Sequence, residues 1–190
     1  KNVAGSGHIK EYSIETDDVT SWATASGMSF FTPTRIGAVD YQNLHGLAQV
    51  DYLIVTNKAF LNQANRLAGL HRANGTSVHV VTTEQIYNEF SSGAIDATAI
   101  KSFAKMFYDR GLTEPTTRLQ SLLLFGDGTY DPKNRVNNNN NYVVTYQVLN
   151  SEDHIAALVT DDYFGLLDDS ESIGTIDDLD IGVGRLLISS

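Results

Sequence analysis

The chain has 190 residues, enough for one large domain with a real core, and 42% hydrophobic and 19% charged residues are ordinary for a water-soluble globular fold. Thirteen basic against 23 acidic residues leave a net charge of −10, which argues against a nucleic-acid partner or an anionic membrane surface, both of which reward clustered Lys and Arg. The absence of cysteine excludes disulfides, thiolate metal sites and a thiol nucleophile from this chain, and no apolar run is long enough to span a bilayer.

Residues 1–48 are β-prone and punctuated by glycine. The stretches HIKEYSI, MSFFTP and RIGAVDY alternate or carry aromatics, and predict two or three strands in a β-rich N-terminal segment. From residue 49 the texture changes to an α/β unit that runs to residue 190. Residues 52–56 (YLIVT) form a continuous apolar run, the mark of a strand buried on both faces. Over residues 58–74, Phe60, Ala64, Leu67 and Ala68 recur at helical spacing, and Gly75 stands where a helix end favours a left-handed residue.

Residues 77–82 (SVHVVT) predict a second strand, and a short helix (TEQIYNEF) opens at Thr83 and stops at Ser91, Ser92 and Gly93. Asp96 suits the N-cap of a further helix with Ile100, Phe103, Ala104 and Phe107 on its buried face and Gly111 as its end. Residues 120–125 give a third strand. The order β-α-β-α-β predicts a parallel sheet flanked by helices with right-handed crossovers. After the polar run KNRVNNNNN at residues 133–141, residues 142–149 and 179–188 predict two more strands. The chain begins at Lys1 without Met and stops straight after an apolar run, so it reads as part of a longer protein.

The third strand passes abruptly from grease to carboxylate: LLLFGDGTYD covers residues 122–131. Ligands of open α/β sheets gather outside the carboxyl ends of the strands. Further acids follow in VTDDYFGLLDD and DDLDIGVGR. Asp127, Asp131, Asp161, Asp162, Asp168 and Asp169 are hard oxygen donors with no Cys or His among them, which selects calcium or magnesium over zinc. Calcium is favoured, since it takes about 6–8 oxygens in tolerant geometry. The motif GDGTYD lacks the Lys and Ser/Thr of a phosphate-binding loop, and the spacing is not that of an EF-hand. The same acids also read as ordinary solvated turn formers.

His45 and His71 are candidate general bases, but no Ser sits in a nucleophile elbow for either to activate. His79 and His154 read as ordinary strand and loop residues. Arg185, alone among acids, is expected to pair with one of them rather than grip a substrate. Tyr87 and Glu89 fall on different helix faces and so do not form an acid/base pair.

Taken together, DYLIVTNKAF, HRANG, SVHVVTTEQIYNEFSSG, DATAIKSFAKMFYDRG, SLLLFGDGTYDPKN, VTDDYFGLLDD and DIGVGRL occur in the order in which they stand in one family. The series resembles the N-terminal part of the gingipain-type cysteine peptidase domain, which has a caspase-like fold. YQNLHGL, EQIYNEFSSG and TDDYFG make it most similar to the PorU-type sortases of the bacterial type IX secretion system. The resemblance spans roughly residues 36–190. It implies that the catalytic His and Cys lie beyond the strand ending at Gly184 and Arg185, so that this piece is a non-catalytic first subdomain.

Calcium carried over from the family implies Asp127 and Asp162 as carboxylate ligands, with Val159 and Phe164 giving carbonyls. The family's further acidic ligand falls near Leu166, where this sequence departs, and Asp168 is the nearby substitute. The implied partners are the catalytic subdomain of the same chain, exported protein cargo and other type IX secretion components at the outer membrane. The implied location is the cell surface. The implied parent activity removes C-terminal sorting domains from cargo and joins cargo to lipopolysaccharide. Two readings from other classes stand beside it: a calcium-dependent cell-surface binding module and a magnesium-dependent phosphohydrolase.

Overall fold

The computed structural model describes residues 34, 35, 37–113, 117–132, 135–137, 140–148, 158–173 and 178–188. The expected strands in HIKEYSI and MSFFTP, and His154, lie outside them. The chain divides into two compact units, Lys1–Val39 and Asp40–Ser190, and every described helix and strand belongs to the second.

Four parallel strands form its sheet in the order β2-β1-β3-β6. They are β1 (Tyr52–Thr56), β2 (Val78–Thr82), β3 (Ser121–Phe125) and β6 (Gly182–Leu186). Leu53 stands in register with His79 on one side and Leu122 on the other. Central β1 is buried over residues 53–56 because helices cover both faces. A 3-10 turn at Lys58–Phe60, capped by the Asn57 side chain, leads into α1 (Leu61–Ala73). Ala64 and Ala68 carry α1 onto one sheet face, against Ile54, Val78 and Phe125. Gly75, at φ 88°, turns the chain out of the helix into β2.

On the opposite face lie α2 (Thr83–Phe90) and α3 (Ala97–Thr113). Their core joins Ile86, Ile100, Phe103 and Phe107 to Leu53, Val55, Leu122 and Leu124. A capping box starts α2: the Thr82 hydroxyl accepts from the Gln85 N–H, and the Gln85 side chain accepts from the Thr82 N–H. Asp96 caps α3 by accepting from the Thr98 N–H at 2.8 Å. Among the described residues no helix is long and apolar enough to cross a membrane.

Three local expectations differ from the structure. Residues 37–43, including most of RIGAVDY, carry no regular structure; residues 37–41 lie exposed, with no strand to pair with among the described residues. Gly111 does not end α3, which continues to Thr113; a Cβ there would lie 3.3 Å from Arg118 Cα and from the Gln49 side chain, so the glycine permits close packing. The strand expected over residues 142–149 is shorter within the described residues 142–148. Only Tyr146–Gln147 (β4) is strand, paired antiparallel with Val159–Thr160 (β5). Val143 and Val144 are buried in the core beside the loop after β3, which uses their apolar character in another way.

Candidate functional site

The carboxyl end of the sheet is organised by Arg185 on β6. Every N–H of its guanidinium is used. Nε and Nη2 grip the Asp161 carboxylate at 2.6 and 2.7 Å, Nη1 donates to the Gly126 and Val143 carbonyls at 3.0 and 2.7 Å, and Nη2 donates to the Val144 carbonyl at 3.2 Å. The two side chains are 10% and 25% exposed. One cation therefore ties together the loop after β3, the segment before β4 and the turn after β5, and it has no donor left for a substrate.

This clasp explains both glycines of the GDG motif. Gly126 has φ 151°, and a Cβ on it would sit 3.1 Å from Tyr142 Cβ and Val143 Cγ2. At Gly128 a Cβ would sit 2.8 Å from the Val143 carbonyl oxygen and 2.9 Å from Arg185 Nη1. Between them, Asp127 is held by its backbone: its carbonyl accepts from the Tyr142 and Val143 N–H groups at 2.9 and 3.0 Å, and its N–H donates to the Ile188 carbonyl at 3.1 Å.

The carboxylates of Asp127 and Asp162 have no partner among the described residues. Asp127 lines a cavity of about 300 Å³ with Thr129, Asn137 and Asn140. Val159 shares a second cavity of about 410 Å³ with Gly128, Thr129, Asp161 and Arg185. Asp162 opens the 3-10 turn directly after Asp161, and Phe164 in that turn is fully buried. Both carboxylates are hard oxygen donors, but Asp162 lines neither of the two cavities.

Asp168 is not brought to them. Its carboxylate lies with those of Glu171 and Asp180, their ligand atoms all within 4.8 Å of one another. Asp180 precedes β6 whereas Asp127 follows β3, so a strand's length of about 16 Å, at ~3.3 Å per residue, separates the two places.

Sequence reasoning marks this last stretch as acidic but does not pair its members. Asp180 accepts from the N–H groups of Leu167 and Asp168 at 2.7 and 3.1 Å and from the Tyr108 hydroxyl at 2.9 Å. Burial opposes its charge, but these bonds, with one from Glu171, hold its carboxyl below the usual range. Glu171 is pushed up, first by burial and then, against a bond from the Asp168 N–H, by its carboxylate neighbours. Its ionised form is therefore disfavoured in the fold, and stability falls as pH rises from the unfolded glutamate value of about 4.3 through the folded one. Glu171→Gln is expected to melt above the wild type at pH 7, with the gap closing as pH is lowered to about 4; a pH series of melting curves checks this.

The described histidines are structural. His45 Nδ1 lies 2.8 Å from Glu89 and its ring stacks on Phe90 at 4.6 Å. Glu89 also accepts from the Leu44 N–H and from Gln42. His71 meets the Tyr52 ring edge-on, and His79 Nε2 donates to the Ala48 carbonyl at 2.9 Å. Glu89 thus binds the 42–45 segment, while Tyr87 points into the core, as their spacing on α2 requires.

A family model described as Peptidase family C25 matches residues 45–190. Among solved structures, dimeric latent PorU from Porphyromonas gingivalis superposes with a TM-score of 0.67 at 42% identity over 80% of this chain. A structure titled "Structure of Protease" gives 0.48 at 18% identity over 79% of this chain and 26% of its own. This chain spans 15% of the PorU chain. No curated protein gives a match.

Proposed function

The chain belongs to peptidase family C25, and on that premise we propose that it is the supporting, non-catalytic part of a larger PorU-like cysteine peptidase. It has no cysteine and so lacks the family's thiol nucleophile. The observation that carries the reading is the side of β6 that no described strand pairs with. Gly182 N–H and Leu186 C=O bond towards β3, so in a parallel ladder Val183 and Arg185 turn their backbone groups outward. Leu186 and Leu187 are 44% and 72% exposed beside them. A strand or segment of the catalytic part covers this edge and extends the sheet.

In this reading the parent protein works at the cell surface, with other type IX secretion components at the outer membrane. A thiolate activated by His attacks the bond before a cargo's C-terminal sorting domain. The thioester that forms is resolved by water or by an amine of surface lipopolysaccharide. The present chain binds no nucleic acid and buttresses the catalytic part. Reconstitution tests it: the purified chain alone cleaves no cargo peptide, and cleavage appears only when the polypeptide encoded downstream is added. Peptide hydrolysis by the chain alone, sensitive to mutation at the sheet's carboxyl end, overturns it.

The carboxyl-end loops are proposed to hold a structural calcium ion, with Asp127 and Asp162 as carboxylate ligands and Val159 and Phe164 as carbonyl donors. Asp168 is left out of this set by its place at the other end of the sheet. The ion would draw the two loops together as Arg185 already does, and would take no part in bond cleavage. Calcium at a hundredfold its dissociation constant is expected to stabilise the chain by about 2.7 kcal/mol. A thermal shift that Asp127→Asn abolishes is the expected result, and a melting temperature indifferent to calcium rules the site out.

A further inference from the structure

Arginine stands at seven positions, and the structure separates them by what the main chain is doing there. Arg66 and Arg72 lie in α1 and Arg110 in α3, where the backbone is bonded within the helix. Arg185 lies in β6 with its side chain locked onto Asp161. Arg118 is followed by Leu119, which is buried, and by Gln120, whose N–H donates to the Asp51 carbonyl at 2.9 Å. Arg135 is followed by Val136, whose N–H donates to the Asp131 carboxylate at 2.7 Å. Arg35 differs from all six. Residues 34, 35 and 37–41 are exposed without regular structure, and none of them makes a hydrogen bond among the described residues. Even the large apolar side chains of Val39 and Tyr41 are 67% and 96% exposed.

This free stretch ends abruptly at Gln42. The Gln42 side chain donates to the Gln85 carbonyl at 2.7 Å and to Glu89 at 2.9 Å, and the N–H of buried Leu44 donates to Glu89 at 2.8 Å. Arg110 then donates to the carbonyls of His45 and Leu47. From residue 42 onward the chain is thus pinned to α2 and α3. Endopeptidases bind several consecutive residues as extended backbone, so they cut where a chain supplies these without breaking its own hydrogen bonds. Elsewhere a cut must wait for local unfolding.

We propose that the Arg35–Ile36 bond is a processing site for an arginine-specific endopeptidase, one whose specificity pocket ends in a carboxylate. Water adds across the amide: its hydroxyl goes to the Arg35 carbonyl carbon, the C–N bond breaks, and the Ile36 nitrogen takes the proton. Residues 1–35 are detached. Residues 36–190 keep the α/β unit, with Glu89 and Arg110 holding the new N-terminal arm from Gln42 on. The inference stands on exposure and bonding and not on the family reading, so either can fail without the other.

The native chain is digested with an arginine-specific endopeptidase at low ratio, and the products are followed in time by intact-mass spectrometry. The first products expected are 1–35 and 36–190. Arg35→Gln, in the exposed stretch, leaves the fold intact and is expected to slow the first cut at least about tenfold, because every other arginine is cut only after local opening. Arg135→Gln is expected to leave the first cut unchanged. In the 36–190 product the Leu44 and β1 amides should stay protected from hydrogen exchange as in the intact chain. A first cut after Arg118, Arg135 or a helical arginine overturns the proposal. So does a chain that resists the enzyme altogether, an Arg35→Gln variant cut as fast as the wild type, or lost protection at Leu44 once the chain is cut.

Discussion

Arg185→Met is expected to destabilise the chain by about 3–5 kcal/mol, because it leaves a largely buried carboxylate uncompensated. Asp161 then loses both of its charge-assisted bonds, and the carbonyls of Gly126, Val143 and Val144 lose their donors together. Urea denaturation should show a lower midpoint at unchanged slope. At ~2–4 °C per kcal/mol for a chain of this size, melting falls by on the order of 10 °C. Adding Asp161→Leu to Arg185→Met should restore part of the loss, since the orphaned charge goes with it. A loss under about 1 kcal/mol would mean that the ion pair behaves as a surface pair and does not organise the carboxyl-end loops.

Phe103→Ala is expected to cost a similar amount, about 3–5 kcal/mol, for a different reason. The ring is wholly buried and meets Phe90 of α2 at 5.6 Å and Phe107 of α3 at 5.3 Å, both edge-on. Removing it opens a cavity between the two helices and the sheet. Because Phe90 also carries the His45 stack, hydrogen exchange should speed up in α2 and at Leu44 as well as in α3. A loss confined to α3 would mean that α2 is held by its capping box and the Glu89 bonds alone.

The parallel sheet is legible in the sequence because its strands are short apolar runs without alternation, at 52–56 and 121–125, separated by helical periodicity. The helix start at Thr83 and the cap at Asp96 are legible because their chemistry is local. Residues 142–149 read as a further strand, but apolar pattern does not say which residues of a segment pair; here Val143 and Val144 fill the core and only Tyr146–Gln147 pairs. Gly111 reads as a helix end, since a glycine needed for a 3.3 Å approach by Arg118 leaves the same letter as one needed for a turn.

At the candidate site, the expectation that Arg185 pairs with an acid holds, with Asp161 as the partner. That it reaches three segments at once is a matter of tertiary geometry that no spacing encodes. For the same reason Asp168, close in sequence to the expected ligands, sits at the far end of the sheet with Glu171 and Asp180.

The supporting role is tested most directly by amide hydrogen exchange along β6, with and without the polypeptide encoded downstream. The Val183 and Arg185 amides should exchange quickly in the chain alone and become protected on mixing, while those of β3 are protected throughout. β6 amides that exchange alike in both samples, or a reading frame that ends near Ser190 and leaves nothing to add, would contradict it.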